Sequence, residues 1–150
     1  MMDPVYITGL GSISPQMTYN NNHFLEEIKV PENSMLKVID PVYKEYIQGD
    51  MVRRMSRIIK MGVTASKICL SDAALNMPDA IITGTGLGCI EDTEKFLSTM
   101  IRNKEEFLTP TSFIQSTHNT VGAQIALILK CHNYNFTYVH RGLSFESGLT

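Results

Sequence analysis

The spacing of apolar and polar positions changes several times along the chain, and each change predicts a new element. Val5-Tyr6-Ile7-Thr8 is a short β-favouring run closed by Gly9-Leu10-Gly11, which predicts a first buried strand. Asn20-Asn21-Asn22-His23 offers a cap to a short helix at 24–29, which stops before Pro31 because the residue preceding a proline is pushed out of the helical region. Residues 31–50 carry two prolines and mixed polarity, and predict an irregular excursion with a short strand at 36–39. The clearest helix is expected over 51–75. There Val52, Met55, Ile59, Gly62, Val63, Ser66, Cys69, Leu70 and Ala73 recur at steps of three and four, while Arg53, Arg54, Arg57, Lys60 and Lys67 fall largely off that stripe. Gly62, Ala65 and Ser66 allow a neighbouring element to approach, and Pro78 lies just past the end.

A second compact apolar run at 80–83 predicts a buried strand passing into Gly84-Thr85-Gly86-Leu87-Gly88. A helix follows at 91–103, with Phe96, Leu97, Met100 and Ile101 apolar, then a loop at 108–112. Asn119 is placed to cap a helix running to 130, and 136–139 is a third strand. Strands alternating with helices predict an α/β layered fold with a mostly parallel sheet flanked by helices.

Composition narrows the function classes. The 150 residues are long enough for one domain with a real core, and 43% apolar against 19% charged is an ordinary globular balance. A net charge of −2 argues against a nucleic-acid or anionic-membrane surface. No apolar run approaches the roughly 20 residues of a membrane span, and the N-terminus lacks the regions of a signal peptide. Cys69, Cys89 and Cys131 are odd in number and scattered, so neither a disulfide framework nor a zinc site is expected. A cytoplasmic protein without metal or cofactor is the plain expectation.

Each candidate motif has a structural reading beside its chemical one. Gly84-x-Gly86-x-Gly88 follows a strand, but it is not GxGxxG, no Lys-Ser/Thr pair follows, and Glu91 and Asp92 would repel a phosphate. A tight turn that lets the backbone pass close to another element is the simpler reading. Ser144 in Gly142-Leu143-Ser144-Phe145-Glu146 approaches the GxSxG elbow, but Glu146 replaces the glycine that permits the strained turn. The four histidines do not fall at metal-ligand spacing. Cys69 sits on the apolar face of the long helix as a small core residue, and Cys89, in the glycine turn, and Cys131, before the third strand, are not read as nucleophiles. The arginines at 53–57 are most simply a solvated helix face, or else a surface for an acidic carrier protein.

Several separated motifs, in order, resemble the β-ketoacyl-acyl-carrier-protein synthases. They are the opening Val5-Tyr6-Ile7-Thr8-Gly9-Leu10-Gly11-Ser12-Ile13-Ser14-Pro15; Arg53-Arg54-Met55-Ser56-Arg57 with the helix to Ser71-Asp72-Ala73; Ile81-Ile82-Thr83-Gly84-Thr85-Gly86-Leu87-Gly88; and Thr109-Pro110, Ser112-Phe113 and His118-Asn119-Thr120-Val121-Gly122-Ala123-Gln124-Ile125-Ala126. The resemblance implies a thiolase-like fold of two similar halves, of which residues 1–150 form most of the N-terminal half only. In that family a strand ends in a nucleophilic cysteine opening a helix. Here the matching stretch runs Tyr138-Val139-His140-Arg141-Gly142-Leu143-Ser144-Phe145-Glu146-Ser147-Gly148, with no cysteine after Cys131. The nucleophile's position falls on Gly142 without gaps, or on Phe145 if Ser147-Gly148 is the anchor. Neither side chain can form an acyl thioester.

The resemblance therefore implies a non-condensing subunit of the chain-length-factor type, with no catalytic residue of its own. It would partner an active ketoacyl synthase, or pair with itself, and meet an acyl carrier protein in fatty-acid, polyketide or polyene synthesis. Thr109, Phe113, His118, Asn119, Phe136, Tyr138 and Phe145 are its expected acyl-pocket and interface residues, with Phe145 placed to plug a vacated pocket. An ordinary 3-oxoacyl-acyl-carrier-protein synthase with another group in place of the cysteine, a truncated inactive fragment and a small binding module remain alternatives. A fold ending at Thr150 is expected to leave an apolar sheet face bare, requiring a partner for solubility.

Overall fold

The computed structural model describes residues 4–20 and 26–150. The chain divides into two compact units, residues 1–54 with 63–77 and residues 55–62 with 78–150.

In the first unit the expected strand at 5–8 does not form, and Val5 and Ile7 are 96% and 83% exposed. A strand needs a ladder partner for its N–H and C=O groups, and no described residue supplies one. The segment is held instead by the glycine turn after it. Leu10 N donates to Asp72 Oδ2 at 2.8 Å, Cys69 Sγ donates to Gly9 O at 3.3 Å, and a Cβ on Gly9 would lie 2.5 Å from Cys69 O. The expected strand at 36–39 is likewise irregular, tied by Ile39 N to Ser14 O at 3.0 Å. Of the helix expected at 24–29, residues 24 and 25 lie outside the described residues and 26–29 are not helical. The Gln16 side-chain amide takes both backbone groups of Lys29, accepting at 2.8 Å and donating at 2.9 Å, which commits them away from a helix ladder.

The helix expected over 51–75 is broken. A short α1 spans Gly49–Val52, and α2 spans Arg57–Asp72. The turn between them buries Met55 and brings Ser56, a residue that favours helix starts, to the position before α2. Ile47, Val63 and Ile68 are the buried apolar residues of the first unit.

In the second unit β1 spans Ala80–Gly84, α3 Ile90–Arg102, α4 Pro110–Gln115, α5 Thr120–Leu129, β2 Tyr134–Tyr138 and α6 Ser144–Leu149. The expected loop at 108–112 is thus the start of α4, and Pro110 suits its first turn because a missing N–H costs nothing there. Asn119 does precede α5, yet its side chain makes no capping bond. Lys130 closes α5 in a left-handed conformation, with Cys131 N donating back to Ala126 O at 2.9 Å.

Among the described residues the sheet has two strands, where three were expected. β1 and β2 run parallel, with Ala80 opposite Tyr134 and Gly84 opposite Tyr138. Parallel strands need a long crossover, here carried by α3, α4 and α5. The pleat sends alternate residues to opposite faces. On one face α5 closes on Thr83 and Asn135: Asn135 Nδ2 donates to Gly122 O at 3.0 Å, and a Cβ on Gly122 would lie 2.8 Å from Thr83 Oγ1. On the other face α6 closes on Ile82 and Gly84, with Gly148 against Ile82 Cγ2 and Gly84 against the Ser144 carbonyl. Ile81, Cys89, Ile125 and Cys131 are buried around this layered core.

Candidate functional site

The strand–turn–helix junction after β2 is the first place to look for chemistry. Thr85 N donates to Tyr138 O at 3.0 Å, and the chain then turns through Arg141, whose φ of 49° is left-handed. Leu143 N donates to His140 O at 3.0 Å, and α6 begins at Ser144. The Ser144 hydroxyl is buried and fully used: it lies 2.7 Å from Arg141 O and 2.8 Å from Thr85 O, and accepts from His140 N at 2.9 Å. It locks the turn rather than waiting to attack a substrate. Ser147 donates to Leu143 O at 2.8 Å and lies 3.2 Å from His140 Nδ1. With its hydrogen on the Leu143 carbonyl, Ser147 accepts from His140 Nδ1–H, so this nitrogen cannot take a proton from Ser147. At Gly142 an added Cβ would meet nothing within 4 Å.

The glycine turn after β1 is closed by its own neighbours. Gly88 has φ +60°, its N–H donates to Thr85 Oγ1 at 2.9 Å, and a Cβ on it would lie 2.8 Å from the His118 ring. That occupancy fits the tight-turn reading of the glycines over a phosphate cradle. Cys89 next to it is 1% exposed, and burial together with the Asp92 charge pushes its thiol up to about 11 from 9.0. It is the opposite of an activated nucleophile. Cys69 donates to Gly9 O, and the buried Cys131 donates to Pro78 O at 3.6 Å. Among the described residues no group of three His, Cys, Asp or Glu is placed to hold a metal ion, and no helix is long and apolar enough to cross a membrane.

A cleft of about 280 Å³ lies between α3 and α4. Asp92, Phe96 and Thr99 come from one stripe of α3, and Phe107, Thr109 and Ser112 from the connection and α4. Thr109 Oγ1 and Ser112 Oγ are 2.7 Å apart, and the Phe96 and Phe113 rings pack at 5.8 Å between centroids.

No family model and no curated protein sequence matches the chain. Solved structures do. A chain of the complex of a ketosynthase with its chain length factor from Xenorhabdus doucetiae aligns with TM-score 0.72 at 20% identity, over 96% of this chain and 58% of that one. The ishigamide ketosynthase/chain length factor aligns with TM-score 0.66 at 21% identity, over 89% and 38%. A β-ketoacyl synthase from Burkholderia phymatum aligns with TM-score 0.56 at 15% identity, over 94% and 35%. This chain has the ketosynthase fold. It spans little more than half the length of the Xenorhabdus chain and about two fifths or less of the other two.

Within the ketosynthase fold the expected site residues separate into groups. Thr109 lines the cleft and Phe113 packs on Phe96 beside it. Phe136 and Tyr138 sit together on β2 with ring centroids 4.9 Å apart, and Tyr134 stacks on Phe136 at 6.2 Å. His118 lies against Gly88, and exposed Asn119 precedes α5. Phe145 is 71% exposed on α6. Asp92, Lys95, Thr99, Phe107 and Ser112 were not among the expected site residues although they line the cleft. Their signal was present in part: 92, 95, 96 and 99 form one helical stripe facing the stretch at 109–112.

Proposed function

We propose that this chain belongs to a non-condensing ketosynthase-like subunit of the chain-length-factor type. It pairs with an active ketosynthase that elongates carrier-bound polyketide or polyene chains. The reading rests on the junction between β2 and α6, where the family resemblance calls for a thiolate. Gly142 and Phe145 stand at the two mapped positions, and neither can carry an acyl group. Ser144 is committed to backbone groups, and the Cys89 thiol is held protonated at neutral pH. Acyl transfer then falls to the partner, and this subunit contributes surface.

That surface includes β2. Among the described residues β2 has one ladder neighbour, β1, so its other edge is open. Tyr134, Phe136 and Tyr138 line one face of it, with Tyr134 62% and Phe136 44% exposed. An aromatic stripe beside an open strand edge is a surface on which a partner gains both apolar burial and backbone hydrogen bonds. Thr109, Phe113, His118 and Asn119 extend the candidate interface and acyl-pocket region.

The test is co-expression with a candidate ketosynthase of the same organism, followed by size-exclusion chromatography with light scattering. A stoichiometric complex is expected, and Phe136→Asp or Tyr134→Asp is expected to weaken it at least tenfold while leaving the circular dichroism unchanged. A stable complex indifferent to both folded variants would remove β2 from the interface. A chain that stays monomeric beside every such synthase would contradict the proposal.

A further inference from the structure

No further inference is drawn: the strongest candidate, the polar groove of the first unit lined by Tyr19, Tyr46, Lys67 and Asp72, rests on exposed or half-exposed side chains whose charges are already anchored on that unit's own backbone, and nothing in the structure points to a ligand there.

Discussion

Cys89 and the two junction glycines show how residue chemistry follows from surroundings rather than identity. Cys89 follows the glycine turn, is buried, and sits near the Asp92 charge. Both effects disfavour the thiolate, so the folded chain holds its proton to about 11 while an ordinary thiol loses it near 9.0. Between those values the unfolded chain binds fewer protons than the folded one. The contribution of Cys89 to stability is therefore complete below pH 9 and declines as pH rises toward 11. Urea midpoints measured from pH 8 to 10.5 are expected to fall, and Cys89→Ala is expected to fall less steeply. Parallel declines in the two proteins would show that the Cys89 environment is not as described.

At the scale of elements, the β1–α6 junction explains which glycines matter. Gly84 ends β1 where a Cβ would sit 2.5 Å from the Ser144 carbonyl, a backbone atom that cannot rotate away. Gly142, two residues before α6, faces open space. Gly84→Ala is expected to destabilise by about 1–3 kcal/mol, the usual cost of forcing atoms into a packed site, and Gly142→Ala by less than about 0.5 kcal/mol. Thermal unfolding of the two variants checks this, and equal effects would contradict the packing described. The sequence places Gly84 in a turn that passes close to another element, but does not say which one, because that neighbour is 60 residues away.

The same limit explains what was and was not legible elsewhere. The helices at 90–102 and 120–129 and the strands at 80–84 and 134–138 stood out because their own spacing or β-branched content sets them, and the structure moves their ends by no more than two residues. The strand expected at 5–8 failed because a strand exists only with a partner, and partnering is not a local property. The break at 53–56 was hidden because Arg53, Arg54 and Met55 are all good helix formers. The cleft was hidden because its two walls are separated by the 103–108 connection, whose left-handed residues carry no glycine to announce them.

At the scale of the whole molecule, the chain presents a large amount of apolar surface. Leu10 and Ile28 in the first unit, and Leu87, Ile101, Leu143 and Leu149 in the second, are all exposed. The chain spans 58% and 38% of two ketosynthase-fold neighbours. The central claim is that the acyl group never resides on this chain. The direct measurement is intact mass spectrometry of the co-purified subunits after incubation with an acyl-carrier substrate. The account predicts an acyl adduct on the partner and none on this chain. A stable adduct here, at Ser144, Ser147 or any of the three cysteines, would contradict it.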